Sequence, residues 1–231
     1  YGYWLGNITR NFKDLVHSNN SHYILSGFIP EPGAIVIDGG AFDGGSAVIF
    51  SEMGYKVYSF EMDKLIFDKL KSAVEGRDIV IEQMGLGSIK HEMRYNPTGN
   101  SSTQLNDIGS EIAQVTTLDA YVRENNLPRV DFIKLDVEGA ELDVLKGATT
   151  TIARFKPILA LSAYHKWDDF WTLMNFVKSI RPDYEWALRH YPASYEDAPS
   201  GGLSKERNLF ALRLGLDAND KRYTECCLLA R

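Results

Sequence analysis

The sequence has few of the features of a secreted or membrane-bound protein. It contains two cysteines among 231 residues, and these are the neighbours Cys226 and Cys227, which would pair only under strain. No run of about 18 apolar residues is present to span a bilayer, and the N-terminus lacks the charged and then apolar pattern of a secretion signal. These absences favour a soluble protein of a reducing compartment, and a cytoplasmic location is predicted.

Positive charge is also scarce. The chain has 31 acidic and 25 basic residues, which gives a net charge of −6. This balance provides no basic surface for nucleic acid or for an anionic membrane, so a small-molecule partner is favoured. It says nothing about oligomeric state. The length suits one main domain, which we place at residues 34–231, preceded by a short N-terminal helical cap at residues 1–33.

The sequence is rich in short apolar runs that alternate with segments of helical period. This alternation is typical of a parallel sheet covered by helices on both faces. It predicts a doubly wound α/β fold whose last two strands form an antiparallel hairpin. The seven predicted strands cover residues 34–37, 56–61, 78–83, 130–136, 157–165, 184–191 and 207–214.

Three further segments are relevant to the site. Residues 85–112 lack a clear period and are rich in Gly, Asn and Ser, so we predict an insertion with room for a short hairpin. A loop of that length in a compact domain is more often functional than idle. Residues 144–152 carry apolar side chains at helical spacing and predict one helix, and residues 192–206 form a polar loop.

The glycine-rich turn after the first predicted strand is the clearest candidate for a ligand site. It lies in AIVIDGGAFDGGSAVIF, residues 34–50. In open α/β sheets the ligand lies outside the carboxyl ends of the strands, beside the first strand. Glycines there allow a ligand to approach the backbone closely, and the following helix presents free N–H groups.

The acids around this turn distinguish two classes of nucleoside cofactor. Asp38 precedes the glycines and would repel a pyrophosphate, and the G-x-G-x-x-G spacing of dinucleotide sites is missing. S-adenosylmethionine carries a sulfonium, an ammonium and a ribose diol but no phosphate, which suits Asp38, Asp43 and Glu61. Glu61 lies about 20 positions beyond Gly40, where a carboxylate that binds ribose hydroxyls is expected in both classes.

A second group of ionisable residues surrounds the end of the fourth predicted strand. The run IKLDVEGAELDVLKGA, residues 133–148, contains Lys134, Asp136, Glu138 and Glu141. Acids at a helix start complement the helix dipole, which accounts for Glu138 and Glu141 without a functional role. Asp136 is different, because an acid that closes a buried strand must find a partner.

These motifs together resemble the FkbM-type methyltransferase family. The resemblance rests on DFIKLDVEGAELDVLKGA (131–148), VTTLDAYV (115–122) and VIDGGAFDGGSAVIF (36–50), and it covers residues 34–165. It implies the seven-stranded class I methyltransferase fold and S-adenosylmethionine as cofactor. It also implies methyl transfer to a hydroxyl oxygen of a small molecule, with a sugar or glycan-type acceptor as the expected partner.

The resemblance implies site residues when it is carried over by position. The GLGS turn at residues 85–88 stands where the family lines the adenine, and NSST at residues 100–103 lies in a loop that the family brings towards the cofactor. Phe42 and Asp43 replace the family's usual Asn-x pair, which leaves a contact by Asp43 open. The implied cofactor-binding residues are Asp38, Gly39, Gly40, Phe42, Asp43, Gly44, Glu61, Met62, Gly85, Leu86, Ser102, Asp136 and Glu138.

The chemistry of methyl transfer to an aliphatic hydroxyl suggests catalytic residues. A base near the hydroxyl takes its proton as the new bond forms. His165 ends the fifth predicted strand and can accept a proton near neutral pH, so we predict His165 as base or substrate contact, with Asp136 beside it. Lys134, Tyr164 and His190 are weaker candidates.

A metal-assisted reaction is an alternative that the sequence does not require. Asp136, Glu138 and His165 could supply oxygen and nitrogen ligands to Mg²⁺ or Mn²⁺. No tight ligand spacing demands such a site, so we predict no metal ligands.

Two other functions remain open at the level of sequence. One is an NAD-dependent oxidoreductase, which the missing pyrophosphate motif argues against. The other is a non-catalytic module that binds a nucleoside on the same fold, because a fold alone does not establish activity. No motif names the acceptor.

Overall fold

A computed structural model of the chain describes residues 23–97, 99, 104–105, 109–192 and 223–231. None of the helices in these ranges is both long and apolar enough to cross a membrane. The described strands are β1 (Ile35–Gly39), β2 (Lys56–Phe60), β3 (Ile79–Glu82), β4 (Gly85–Leu86), β5 (His91–Asn96), β6 (Gln104–Leu105), β7 (Glu111–Thr116), β8 (Phe132–Leu135), β9 (Ile158–Ser162), β10 (Trp186–Pro192) and β11 (Tyr223–Ala230). The described helices are α1 (Gly45–Glu52), α2 (Lys64–Ala73), α3 (Leu118–Glu124), α4 (Glu141–Lys146), α5 (Thr149–Phe155) and α6 (Asp169–Ile180).

The main sheet has seven strands in the order β10-β11-β9-β8-β1-β2-β3. Neighbours from β9 through β3 are parallel, whereas β11 runs antiparallel to both β9 and β10. The predicted doubly wound α/β fold is therefore confirmed. The strand order reverses beside β1, where open sheets of this kind bind their ligands.

Both faces of the main sheet are covered. Every residue of β1 is buried, and successive residues of this strand enter different apolar clusters, with Ile35 and Ile37 in one and Val36 in the other. This alternation follows from the period of two in a strand. Burial on both faces explains why β1 appears in the sequence as a continuous apolar run.

Helix α2 shows how the flanking helices are built. Asp63 precedes it, and its carboxylate accepts hydrogen bonds from the N–H groups of Leu65 and Ile66 at 2.8 and 3.2 Å, which caps the helix. Ile66 and Leu70, one helical turn apart, are its buried residues. The helix packs with this apolar stripe inward and exposes its charged face.

The strand predicted at residues 207–214 lies outside the described residues. The structure instead pairs β10 with β11, at residues 223–230 where no strand was predicted. Residues 227–230 are fully buried in the sheet between β9 and β10. These residues form a short apolar run after a charged segment, and so short a run shows no strand pattern in the sequence. The predicted cap at residues 1–33 is described only from residue 23, and residues 23–33 contain turns and no helix.

The segment at residues 85–112 is more structured than predicted. With residues up to 116 it forms a second sheet in the order β4-β7-β5-β6. This sheet buries few side chains, among them Tyr95, Ala113 and Val115, and the remaining positions of β5 and β7 are mostly exposed. One buried face that carries so few apolar residues gives a weak period, which is why the sequence pattern missed it.

The single helix predicted at residues 144–152 is two helices, α4 and α5, with a break at Gly147. A Cβ atom at Gly147 would lie 2.0 Å from the carbonyl oxygen of Gly87, so the chain turns where the second sheet approaches. Asp119 then caps α5, because its carboxylate accepts hydrogen bonds from the N–H groups of Thr150 and Thr151 at 2.8 and 2.7 Å.

We expect Asp119→Ala to lower the free energy of unfolding by about 1–2 kcal/mol, the usual cost of losing a helix cap. Chemical denaturation measures this change. Asp143→Ala is the control, because Asp143 is half exposed and pairs with Lys146 at the surface. Equal losses in both variants would show that the cap contributes no more than a surface ion pair.

Candidate active site

A cavity of about 910 Å³ opens at the carboxyl edge of the main sheet. It is lined by the turn after β1, the residues that follow β2, the start of the second sheet, and the loops after β8 and β9. Its volume lies in the upper part of the range of about 300–1,000 Å³ that is usual for ligand sites. The carboxyl end of β1, where the sequence predicts a ligand, thus lies at a cavity of ligand size.

The turn after β1 depends on Gly40. Its φ angle is +73°, and a Cβ atom there would lie 1.8 Å from the carbonyl oxygen of Asp136. Only glycine fits a backbone held this close to another backbone. The turn reaches α1 through Gly44, whose φ angle of +92° also favours glycine. Gly40 therefore brings the turn after β1 against the loop that carries Asp136.

Glu61 faces the cavity from the end of β2, and its exposed fraction is 9%. Its carboxylate accepts hydrogen bonds from the N–H of Phe42 at 3.2 Å and from the N–H of Asp63 at 2.8 Å. Burial raises the pKa of Glu61 above its ordinary value, although these two N–H groups favour the ionised form. The carboxylate is thus held in place and keeps further lone pairs for a ligand.

Asp38 has a different position from the one predicted. It is fully buried and does not line the cavity. Its carboxylate lies 3.0 Å from Lys134 Nζ on the neighbouring strand and accepts a hydrogen bond from Ser46 at 2.8 Å. Lys134 also donates to the carbonyl oxygen of Gly40 at 2.6 Å. This buried ion pair holds the turn in place.

The remaining predicted cofactor residues fall into three groups. Gly39 and Gly44 do not line the cavity, because Gly39 packs against Leu135 and Gly44 against Leu70. Ser102 lies outside the described residues. The predicted residues that do line the cavity are Gly40, Phe42, Asp43, Glu61, Met62, Gly85, Leu86, Asp136 and Glu138.

His165 also lines the cavity and lies three residues after the end of β9. Its Nε2 atom is 3.6 Å from Asp136 Oδ1 and 3.6 Å from Glu138 Oε2. Its Nδ1 atom is 2.9 Å from Glu141 Oε1. The structure thus brings the two predicted catalytic residues, His165 and Asp136, together with two further acids. We call Asp136, Glu138, Glu141 and His165 the His165 cluster.

Asp136 is held by two tyrosines. The hydroxyl of Tyr23 donates to Oδ2 at 2.7 Å, and that of Tyr164 donates to Oδ1 at 3.0 Å. Burial raises the pKa of Asp136, but Lys134, the Tyr23 hydrogen bond and His165 outweigh burial and hold the pKa below its ordinary value. Asp136 is therefore a carboxylate at neutral pH.

The acids around His165 favour its charged form. Burial lowers the pKa of His165, but the carboxylates of Glu141, Asp136 and Glu138 reverse this and raise the pKa above its ordinary value. An imidazole that keeps a proton is a weaker base near neutral pH.

The weaker candidates for a base differ in position. Lys134 is occupied by Asp38 and by backbone carbonyls, and Tyr164 donates its hydroxyl to Asp136. The side chain of His190 lies outside the described residues. None of these observations assigns the proton acceptor, and the role of His165 stays a prediction.

Three residues in or beside the His165 cluster were not predicted as site residues from the sequence, and of these Tyr23 lines the cavity. Tyr23 comes from the segment before β1 and had no motif to mark it. Glu141 was explained as a helix-start acid, yet it is fully buried and accepts hydrogen bonds from the N–H groups of Val137 and Gly139. Asp169 accepts from the N–H of Lys166, and burial raises its pKa to about 6. Burial of an acid at a helix start is not visible in sequence.

Known structures of methyltransferases share this architecture. The methyltransferase FkbM from Methylobacillus flagellatus matches 96% of this chain and 50% of its own, with a TM-score of 0.65 and 24% identity. An rRNA methylase from Streptococcus thermophilus matches 93% of this chain and 99% of its own, with a TM-score of 0.50 and 12% identity. At these identities the likeness concerns the fold, which is that of the class I methyltransferases.

The family follows from the sequence of the same region. A family model described as the methyltransferase FkbM domain matches residues 38–185, which contain the glycine turn, Glu61 and the His165 cluster. The chain belongs to the FkbM methyltransferase family. The predicted family is thereby confirmed.

A curated relative shares part of this region. The hexuronic acid methyltransferase AglP of Haloferax volcanii is 28% identical over 101 residues, which make up 42% of this chain. The chain spans 42% of the length of that relative and half the length of the Methylobacillus protein.

Proposed function

We propose that this chain is an S-adenosylmethionine-dependent O-methyltransferase that acts on a hydroxyl of a small sugar or glycan-type acceptor. The observation that carries the proposal is that one cavity is lined both by the anchored carboxylate of Glu61 and by Asp136, Glu138 and His165 of the His165 cluster. Membership of the FkbM family supports it. The first group suits a nucleoside and the second suits a reacting hydroxyl.

The residues of the cavity fit the implied cofactor. Glu61 keeps lone pairs for the ribose hydroxyls, and the missing Cβ of Gly40 leaves the backbone open to close approach. Met62 and Leu86 provide apolar wall for a base. S-adenosylmethionine supplies, when bound, an activated methyl group on a positively charged sulfur.

The correction at Asp38 changes one argument about the cofactor. Because Asp38 is paired with Lys134 behind the turn, its charge does not repel a pyrophosphate in the cavity. Asp43, Glu61 and Asp136 still line the cavity and disfavour a phosphate-bearing ligand. The family assignment points the same way, so an NAD-dependent oxidoreductase is the weaker alternative.

The His165 cluster is the proposed place of the acceptor hydroxyl. Methyl transfer needs an oxygen aligned at near-attack distance, so positioning supplies much of the rate. Asp136 is fixed by Tyr23 and Tyr164 and presents a carboxylate to the cavity. We assign Asp136 and His165 to the binding and activation of that hydroxyl.

The sugar class of the acceptor is supported by the relative that is named a hexuronic acid methyltransferase. The acids of the cavity favour polar hydroxyl-bearing molecules, because carboxylates accept hydrogen bonds from such groups. A panel of free sugars, uronic acids and oligosaccharides with radiolabelled methyl donor tests this class. Transfer to none of them, with transfer to a protein or nucleic acid, would overturn the proposed acceptor.

Binding measurements test the cofactor directly. A ligand that binds the folded state raises the melting temperature, so we expect S-adenosylhomocysteine and S-adenosylmethionine to raise it and NAD to leave it unchanged. Isothermal titration gives the affinity and stoichiometry. Stabilisation by NAD alone would overturn the proposal.

We expect Glu61→Gln to weaken S-adenosylhomocysteine binding about tenfold or more, since hydrogen bonds to a charged group contribute about 1.5–3 kcal/mol. The amide also cannot accept both backbone N–H groups that hold Glu61. Isothermal titration measures the change.

Glu82→Gln is the matched control for Glu61→Gln. Glu82 ends the neighbouring strand β3 and accepts a hydrogen bond from the Tyr121 hydroxyl at 2.8 Å, but it does not line the cavity. We expect its affinity for S-adenosylhomocysteine to match the wild type. An equal loss in both variants would remove Glu61 from the cofactor site.

A further inference from the structure

The His165 cluster contains buried nitrogen and oxygen atoms that make no hydrogen bond within the described part of the chain. The side chain of His165 is 7% exposed and Glu141 is fully buried. Among the described residues, both ring nitrogens of His165 and Glu141 Oε2 are buried without a hydrogen-bond partner. The 2.9 Å separation of Nδ1 from Glu141 Oε1 therefore brings the two atoms together without the alignment of a hydrogen bond.

The charges of the cluster are also unbalanced. Asp136, Glu138 and Glu141 all lie within 3.6 Å of the imidazole of His165. The nearby lysines have partners of their own. Lys134 pairs with Asp38, although it also lowers the pKa of Asp136, and Lys166 donates to the carbonyl oxygen of Gly139. Glu138 is half exposed to solvent, but the side chains of Asp136 and Glu141 are mostly or fully buried, so a single proton on His165 faces two buried acids. Buried carboxylates without such compensation are costly, and they are commonly paired or bound to a metal.

The spacing of the donors suits one cation. One ligand atom each from Asp136, Glu141 and His165 can be chosen so that all lie within 4.8 Å of one another. Donor atoms that share a cation at bond lengths of about 2.0–2.5 Å lie at most about 5 Å apart. Two carboxylates and one imidazole form a mixed oxygen and nitrogen set; the carboxylates suit Mn²⁺ and the imidazole suits Zn²⁺, and each of these ions can take both kinds of ligand.

We propose that Asp136, Glu141 and His165 form a binding site for one divalent cation of the Mn²⁺ type. The metal alternative weighed from the sequence contained Glu138 in place of Glu141, which was explained there as a helix-start acid, and no metal site was predicted. This inference extends the proposed function and rests on it, because the cation has a role in catalysis only if the chain transfers methyl groups. A bound cation lowers the pKa of a coordinated hydroxyl, so the acceptor proton can leave near neutral pH.

The test measures Mn²⁺ binding by electron paramagnetic resonance. Free Mn²⁺ gives a six-line signal, and this signal is lost when the ion binds. We expect one Mn²⁺ per wild-type chain and a ¹⁴N coupling from the imidazole in the pulsed spectrum. His165→Ala should remove the nitrogen coupling and weaken binding at least tenfold. Asp136→Asn should weaken binding while it keeps the coupling, which guards against a folding failure of one variant.

Asp143→Asn is the matched control, because Asp143 also lines the cavity but lies outside the three proposed ligands. Its Mn²⁺ affinity should equal that of the wild type. No stoichiometric binding, binding without ¹⁴N coupling, or equal loss in Asp143→Asn would overturn the proposal. S-adenosylhomocysteine binding in the same samples separates the cation site from the proposed function. If Mn²⁺ binds and S-adenosylhomocysteine does not, only the proposed function is contradicted.

Discussion

Gly40→Ala is expected to lower the free energy of unfolding by about 2–6 kcal/mol and to reduce S-adenosylhomocysteine affinity more than tenfold. The backbone of Gly40 has a φ angle of +73°, and a Cβ atom would lie 1.8 Å from the carbonyl oxygen of Asp136. The strained φ angle costs about 1–3 kcal/mol, and overpacking costs a similar amount. The clash is with backbone, which cannot rotate away as a side chain can.

Gly76→Ala separates these two contributions. Gly76 has a φ angle of +76°, close to that of Gly40, but a Cβ atom there has no neighbour within 4 Å. Its substitution should cost about 1–2 kcal/mol and leave ligand affinity unchanged. Denaturant titrations and isothermal titration of both variants measure the difference. If the two variants lose equal stability, the close approach of Gly40 to Asp136 has no energetic consequence.

His165→Ala is expected to reduce kcat by about 10² to 10⁴, the usual effect of removing a group that helps a proton leave. S-adenosylhomocysteine affinity should change little, because His165 contacts the acids of its own cluster, whereas Glu61 is held by backbone N–H groups after β1 and β2. The measurement is methyl transfer to a sugar acceptor, with binding determined in parallel. A parallel loss of affinity would indicate a structural role for His165.

His91→Ala is the control for His165→Ala. His91 lines the same cavity from β5, but it is exposed and its Nδ1 atom lies 3.1 Å from its neighbour's carbonyl oxygen, that of Ile89. We expect kcat of this variant to stay within a few-fold of the wild type. A loss of kcat in His91→Ala as large as that in His165→Ala would contradict the placement of the catalytic centre at His165.

The two main predictions are linked through one loop. Gly40 contacts the carbonyl of Asp136, and Asp136 lies 3.6 Å from His165. A displacement of Asp136 by a Cβ at Gly40 therefore also disturbs the His165 cluster. We expect Gly40→Ala to reduce kcat as well as affinity, whereas His165→Ala affects kcat alone. This difference distinguishes a residue that shapes the site from one that acts on the acceptor.

The sequence pattern was informative where burial follows a simple rule. Strand β1 is buried on both faces and begins with a continuous apolar run, and α2 buries one stripe at helical spacing. The pattern failed for the second sheet, where β5 and β7 expose most of their side chains. It also failed for β11, because a short apolar tail takes its structure from β9 and β10 on either side.

The sequence by itself determined the order of most elements, the glycine turn after β1, and Glu61 and Asp136 as acids that follow strands. Each of these depends on residues that are close together in the chain. Only the tertiary structure decided which way the acids face and what they meet. Asp38 turns to Lys134 while Glu61 faces the cavity, and Glu141 reaches His165. Such meetings depend on strand register and loop packing, which join residues far apart in sequence.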